Sequence, residues 1–499
     1  MARARMTKPL VVALAVIVVA SLAMSGGAAV AATESASPTA WTAPPSPHGG
    51  ELTAISCISA TRCFAAGRSR RSTRLWAIAE QWDGTHWSVM SVQPAGASSW
   101  FDGISCTSIT HCVAVGAFAL SSLQAPFALI EVWDGHAWSI APNTKDLARG
   151  LESVSCTSAA NCITVGLGAA ARWDGHRWSS TELPVLPFGL ASDLSGVSCA
   201  TETMCVAVGV AWYGAVSETL VEAWNGTRWS IVDTPTKGSD HQRALVAVAC
   251  VSVISCFATG RSGGDPVASS PLIEQWDGVR WSVMHSPSTR PPYRAINLSG
   301  VSCVSAISCV AVGSSRRTDI LHEVVLHELV ETWDGSEWSL SPTPQPPTNV
   351  YSALDAVSCT PEHCAATGYT DGYMDTNGFT ENTLVLSGNV PRRIVRVTWS
   401  GAAQDRLLRV AAALHTTPAH AQKVAVYFVA YILGLGMQVP DPAALSRAHA
   451  AAAASATYTT VWAQSELSVL DLVRMNFGPS GAEATRFAVG FFASYLGIS

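Results

Sequence analysis

The sequence predicts a mainly β protein, a seven-bladed β-propeller followed by a small all-α helical domain. Three observations predict it. Fourteen cysteines fall in seven close pairs, at 57/63, 106/112, 156/162, 199/205, 250/256, 303/309 and 359/364. The first members of the pairs are separated by 49, 50, 43, 51, 53 and 56 residues, a period that belongs to repeat architectures of several short strands. Near Pro391 the pattern stops, cysteine disappears and alanine becomes dense.

The chain of 499 residues is 48% apolar and 13% charged, which suits large buried cores and argues against disorder over most of its length. At the N-terminus, Arg3, Arg5 and Lys8 precede an apolar run from Leu10 to Met24 and then Ala29-Val30-Ala31. This charge, apolar core and A-x-A order is that of a cleavable secretory signal, residues 1–31. The fifteen-residue run is shorter than the ~20 residues a membrane span needs. A chain beginning at Ala32 carries 27 bases and 36 acids, a net charge of −9, since the three N-terminal bases are gone. Nucleic acid is therefore excluded as a partner, because phosphate binding needs clustered positive charge.

Residues 32–40 read as a short linker and 41–390 as the propeller. The second copy illustrates the unit: strand-like runs up to Cys106, from Cys112 to Val115, from Phe127 to Trp133, and from Trp138 to Ile140. Asp-Gly between two apolar runs marks a tight hairpin, and polar residues separate the other runs. Each copy is one four-stranded antiparallel sheet, and seven arranged radially cover one another's faces. The Trp-Asp-Gly-x-x-Trp element recurs at Trp82/Trp87, Trp133/Trp138, Trp173/Trp178, Trp276/Trp281 and Trp333/Trp338, with Asn225 replacing Asp between Trp224 and Trp229. Gly supplies the left-handed backbone, Asp or Asn accepts local backbone hydrogen bonds, and the two indoles meet across the hairpin. Two residues before the first Trp stands an acid (Glu80, Glu131, Glu222, Glu274, Glu331), expected in a repeated hydrogen-bond or ion-pair arrangement.

Seven cysteine pairs accompany only six such hairpins. Trp41 lies 16 residues before Cys57, whereas the second Trp of the other copies lies 18 to 22 before the next cysteine. The N-terminal strand is thus expected to complete the last blade, with Ile394 to Trp399 as the rival for that place. The cysteine spacing lacks the paired C-x2-4-C knuckles and matching histidines of zinc sites, so each pair (Cys57–Cys63, Cys106–Cys112, Cys156–Cys162, Cys199–Cys205, Cys250–Cys256, Cys303–Cys309, Cys359–Cys364) is expected as a disulfide. No metal and no cofactor is called for.

In an antiparallel blade the 1–2 and 3–4 turns share one face of the disc, and the 2–3 and 4–1 connections share the other. The first carries the uniform cysteine and Asp-Gly turns; the second carries the variation, where binding residues usually reside. The candidates there are Arg71, Trp76, Trp100, Phe101, Trp212, Tyr213, His241, Arg243, Tyr293, Arg294, Arg317, Tyr369 and Tyr373. Aromatic and arginine side chains combine flat apolar area with directed donors.

Catalytic motifs dissolve on inspection. His322 and His327 are five apart, not the four that share a helical face. Gly260-Arg-Ser-Gly-Gly264 follows a strand but leads into a Gly/Pro loop rather than a helix. Asp371, Asp375 and Asn377 supply only part of a calcium loop and have the composition of a turn.

The V-S-C-x5-C-V-A-V-G and W-D-G-x-x-W-S units resemble the secreted cysteine-paired propeller repeats of actinobacteria and related bacteria, and are more distantly similar to kelch and Asp-box propellers. The resemblance covers Trp41 to Asn389. The Asp-box spacing differs by one residue here and no sialidase arginine triad can be mapped, so no catalytic residue is carried over.

Residues 391–401 read as a linker and 402–499 as the helical domain, with helices expected over Ala402–His415, His420–Leu435, Pro442–Ala456, Thr459–Asn476 and Ala482–Leu496. Tyr427 to Gly434, Pro440 to Leu445 and Ser465-Glu466 resemble a helical module of bacterial surface proteins, which implies a role in cell-surface attachment. The expected function is a secreted, non-catalytic binding or scaffold protein recognising a carbohydrate, peptide or protein through the variable face. The alternative is an extracellular glycoside hydrolase or lyase with carboxylates at the channel mouth. Two carboxyl groups in a concave pocket would favour hydrolysis; a flat aromatic surface would favour binding.

Overall fold

The computed structural model describes residues 33–36, 393–399, 401–413, 458–462, scattered helical positions between 421 and 493, and 41–389 apart from stretches within loops, the longest being 187–191, 236–241, 264–268, 288–293, 319–323, 345–349 and 372–380. The expected signal lies outside these residues. The chain forms two units, residues 38–391 and a second that combines 1–37 with 392–499.

Residues 38–391 are a seven-bladed β-propeller, each blade four antiparallel strands in chain order from the channel outward. Blade 1 runs Glu51–Ser59, Arg62–Arg71, Arg74–Trp82 and Trp87–Met90, and blade 6 ends at Trp338–Leu340. Blade 7 comprises Tyr351–Cys359, His363–Asp371 and Glu381–Asn389, and its fourth strand is Trp41–Thr42, with Trp41 opposite Gly388. The N-terminal strand therefore closes the ring. Arg393–Trp399, the rival, pairs instead with Thr33–Ala36 and Tyr458–Trp462 in a separate three-stranded sheet.

All seven cysteine pairs are disulfides, each between residues directly opposite in the first two strands, with Cα atoms 3.9–4.1 Å apart. No described cysteine is free. Disulfides of this number belong to an extracellular or otherwise oxidising environment.

The repeated residues divide the packing between them. In the hairpin after strand 3, Asp83 Oδ1 accepts the N–H groups of Thr85 and His86 at 2.7 and 2.8 Å, and Gly84 takes φ +103°. Asp134, Asp174, Asn225, Asp277 and Asp334 repeat the acceptor role. The flanking indoles pair in all six blades, with ring centroids 5.6–5.9 Å apart. In five of the six the first Trp also donates Nε1–H to the cysteine hairpin, as Trp82 does to the Ala60 carbonyl and Trp133 to that of Ile109, whereas the Trp224 Nε1 is buried without an acceptor. The two conserved turns of a blade are thus tied together on one face, which leaves the 2–3 and 4–1 connections on the other.

In blades 1, 2 and 6 the buried glutamate of strand 3 holds the connection arriving from the preceding blade. Glu80 accepts from Ser46 Oγ, Glu131 from the Gln93 N–H, and Glu331 from Ser286 Oγ. The arrangement is one of hydrogen bonds rather than ion pairs. A second repeated bond runs between blades along the channel: the N–H of the first cysteine donates to the serine that precedes the first cysteine of the blade before it. It joins Cys106 to Ser56, Cys156 to Ser105, Cys199 to Ser155, Cys250 to Ser198, Cys359 to Ser302 and Cys57 to Ser358, all at 2.9–3.0 Å. Blade 5 has Ala249 at this position and so offers Cys303 no hydroxyl.

The C-terminal unit contains the helix Gly401–Ala413, close to the expected Ala402–His415, and helical positions among 421–429 and 485–493. The expected helix Pro442–Ala456 lies outside the described residues. The three-stranded sheet is an addition to the expected helices: Thr33–Ala36 and Arg393–Trp399 fall in the two stretches read as linkers, and Tyr458–Trp462 at the start of a stretch read as helix. The physical reason lies in Ile394-Val-Arg-Val-Thr-Trp399 and Tyr458-Thr-Thr-Val-Trp462, β-branched and aromatic runs whose strand preference outweighs an alanine-rich context. No described helix is long and apolar enough to cross a membrane.

Candidate functional site at the channel mouth

The channel is built by the first strand of each blade, and its lining follows from one backbone irregularity. In every blade the 1–2 ladder shifts register at the residue four before the first cysteine: Asp102, Glu152, Ser195, Val246, Ser299 and Asp355 are bulged out of pairing, and in blade 1 the shift spans Leu52 and Thr53. A bulge re-aims a side chain, and seven of these eight residues, one per blade, line the channel, while Leu52 points into the core. The preceding residue, Leu or Phe in all seven blades (Leu52, Phe101, Leu151, Leu194, Leu245, Leu298, Leu354), is buried to within 1%. The following residue is Ala, Gly or Ser in all seven; a Cβ on Gly196 would meet the Val246 carbonyl oxygen at 2.7 Å, so neighbouring strands approach too closely for anything larger. The glycine that ends each C-V-A-V-G run has a parallel cause: a Cβ on Gly116 would lie 2.1 Å from the Trp100 carbonyl oxygen, where the bulged strand passes.

The bulge positions read Thr53, Asp102, Glu152, Ser195, Val246, Ser299 and Asp355 around the ring. Together with Glu51 and Asp193, two residues nearer the variable face, they put five carboxyl groups at the mouth. Arg68 answers them: its Nε lies 2.7 Å from Glu51 Oε2 and its guanidinium 3.9 Å from Asp102 Oδ1. The next ring along the channel is apolar, comprising Ile55, Ile104, Val154, Val197, Val248, Val301 and Val357. The channel encloses about 450 Å³.

Burial controls the charge of this cluster. It pushes Asp102 up to about 6, with Arg68 and the Trp100 side chain opposing and Glu51 adding to the rise. Glu152 goes up to about 7 through burial, reinforced by Asp102 and Asp193. Asp355 is raised well above the usual carboxylate range by burial and by Glu51. Burial works to lower Arg68, but Glu51, Asp102 and Asp355 outweigh it and leave the guanidinium above its ordinary value.

On the variable face the channel opens into a groove of about 580 Å³, within the range of ligand sites. Glu152, Asp193, Trp212, Arg243 and Arg261 are among the residues that line it. Trp212, 42% exposed, donates Nε1–H to Asp193 Oδ2 at 3.3 Å, and the Arg243 Nε is buried without a hydrogen-bond acceptor. A smaller recess of about 180 Å³ beside Arg68 includes Tyr369.

Of the residues expected to bind, the structure brings Trp212 and Arg243 together in the groove and sets Tyr369 in the recess. Trp100 is half-buried beside Asp102, and Trp76 is 37% exposed on the third strand of blade 1. Phe101 is completely buried, 6.4 Å from Trp138, and serves the core; it occupies the apolar position before the bulge. Arg71, Tyr213, Arg294 and Arg317 lie in strands, paired with Arg74, Val216, Arg316 and Val325, their side chains outside the described residues. His241, Tyr293 and Tyr373 fall outside altogether, as do Asp375 and Asn377. Among the described residues no group of three or more His, Cys, Asp or Glu is arranged to hold a metal ion. His327 sits in a strand opposite Ser315, and Gly260 to Ser262 continue a second strand. Reading the loops missed Asp102, Glu152 and Asp355. Their signal was available in the repeats aligned on cysteine: one variable position between an invariant Leu or Phe and an invariant small residue.

No family model and no curated protein matches the chain. Among solved structures it is similar to one titled "YCF48 bound to D1 peptide" (14% identity, TM-score 0.46, covering 69% of this chain and 96% of that one). It is also similar to the GH74 xyloglucanase of Xanthomonas campestris (12% identity, TM-score 0.45, 69% of this chain and 55% of that one).

Proposed function

We propose that the chain is a secreted recognition protein that holds a segment of a peptide or protein at the channel mouth, on the face of the 2–3 and 4–1 connections. The observation that carries this reading is the groove itself. Its lining sets carboxylates (Glu152, Asp193) and guanidinium groups (Arg243, Arg261) around a single exposed indole, Trp212. Directed groups of both signs suit a polypeptide, whereas a saccharide site is built on several aromatic planes.

A second reading has its own observation. Glu152, raised to about 7 by burial, and Asp193 line one concave groove, and two carboxyl groups of unequal acidity are what glycoside hydrolysis uses. One experiment separates the two: the oxidised full chain is applied to peptide and cell-wall glycan arrays, and glycan hits are assayed for new reducing ends. Peptide binding that falls at least tenfold in Trp212→Ala supports recognition. Release of reducing ends that stops in Glu152→Gln overturns it in favour of hydrolysis.

A further inference from the structure

We propose that Asn225 is a site of self-modification, an amide that the folded hairpin converts to aspartate or isoaspartate without an enzyme. The inference stands apart from the binding proposed at the channel mouth, because Asn225 lies between strands 3 and 4 of its blade, on the opposite face, among the uniform turns.

Sequence and exposure supply the reactants. Asn225 is exposed and is followed by Gly226, whose φ of +94° and missing Cβ leave its backbone nitrogen unshielded. That nitrogen attacks the Asn225 side-chain carbon Cγ and gives up its proton, a cyclic imide closes, and Nδ2 takes up a proton and leaves as ammonia. Solvent water then opens the imide at either carbonyl, which yields aspartate or isoaspartate.

The hairpin supplies the acceleration. The attack places negative charge on Asn225 Oδ1, and three donors already converge on that atom: the Thr227 N–H at 3.0 Å, the Thr227 hydroxyl at 2.8 Å and the Arg228 N–H at 3.0 Å. Donors fixed where charge develops lower the barrier to its formation. Blade 1 shows how strongly this set favours charge, since there the same donors meet a carboxylate. The His86 N–H, with the Thr85 hydroxyl and N–H, lowers the Asp83 carboxyl to about 2. Because all three groups donate, it is the oxygen that faces them. The departing nitrogen is turned away and has no hydrogen bond to a described residue.

The product is one that the fold already holds. Asp83, Asp134, Asp174, Asp277 and Asp334 occupy the equivalent place and accept the same two backbone N–H groups, so a carboxylate formed at position 225 needs no rearrangement. Isoaspartate instead lengthens the backbone by a methylene between Trp224 and Trp229, which face each other across the hairpin. The chain thus carries an amide that ages toward the residue of its sister blades and adds a negative charge to the turn face.

The test is incubation of the oxidised full chain at pH 8, followed by peptide mapping with mass spectrometry that separates the amide, aspartyl and isoaspartyl forms at position 225. The reduced, urea-unfolded chain is the reference, and Asn377-Gly378, the other Asn-Gly pair of the sequence, calibrates its rate in the same digest. The expected result is conversion at least threefold faster in the folded chain than in the unfolded one. Thr227→Ala, checked for an unchanged fold by circular dichroism, should slow the folded chain at least twofold and leave the unfolded rate unchanged. A smaller ratio of folded to unfolded rates, or a folded Thr227→Ala protein that converts as fast as the parent, would overturn the proposal.

Discussion

Ser358 and Cys57 stand 301 residues apart, and the Cys57 N–H donates to Ser358 Oγ at 2.9 Å across the junction of the last blade with the first. The same bond joins five other neighbouring pairs, so a single serine per repeat, read as part of a strand motif, fixes each blade to the next. Ala249 leaves the junction of blades 5 and 6 without it. Ala249→Ser is expected to raise stability by about 0.5–1.5 kcal/mol, the net contribution of one such bond, and Ser105→Ala to lower it by about 1–3 kcal/mol through the stranded N–H of Cys156. Urea unfolding midpoints measure both; a less stable Ala249→Ser protein would show that the Cys303 amide has no use for a hydroxyl there.

Ring closure depends on Trp41. It is 6% exposed, packs in the core shared by blades 6 and 7, and lies so close to Gly388 that a Cβ there would sit 2.8 Å from the indole. Trp41→Ala should cost about 3–5 kcal/mol, and Gly388→Ala should also destabilise. Thermal melts would reveal it, and a Trp41→Ala midpoint equal to that of the parent would mean that the ring closes without this strand.

Each disulfide closes a loop of about seven residues, for which chain entropy gives roughly 2.4 kcal/mol. The Cys106→Ser/Cys112→Ser double variant should lose about that amount. Complete reduction should lower the melting temperature much further, because the terms act on one cooperative ring even if they do not add in full. Melting with and without a reductant is the check, and an unchanged midpoint would refute the stapling role.

Burial raises Glu131, Glu222 and Glu274 to about 7 from an ordinary value of 4.5. A folded-state value above the unfolded one means that the native protein holds more protons between those limits. Stability is therefore full at low pH and falls as pH rises from about 4.5 through 7. Glu222, whose two oxygens have no hydrogen-bond partner, is the clearest case. Glu222→Gln should match the parent's melting temperature at pH 4.5 and exceed it at pH 8; a gap that does not change with pH would exclude the titration of this group.

The architecture was legible because it repeats. Seven cysteine pairs, six Trp-Asp-Gly hairpins and the stray Trp41 specify blade number, turn faces and closure, since each residue type has one local job that the next copy repeats. The three-stranded sheet was less legible: Thr33–Ala36, Arg393–Trp399 and Tyr458–Trp462 are far apart in the chain, the first two on either side of the whole propeller, and no local period connects them. The site was legible in part. Trp212 and Arg243 are large side chains at strand ends beside variable loops, whereas Asp102, Glu152 and Asp355 sit inside strands, where alternation predicts core or solvent and only a bulge turns them to the axis.

That bulge separates address from framework. Because Leu or Phe on one side and Ala, Gly or Ser on the other carry the packing, the residue between them can be exchanged without opening the core, and seven such places surround one axis. The molecule is in effect a seven-digit combination, at present Thr, Asp, Glu, Ser, Val, Ser, Asp, and rewriting those digits alone offers a route to engineered receptors of chosen charge on an unaltered wheel.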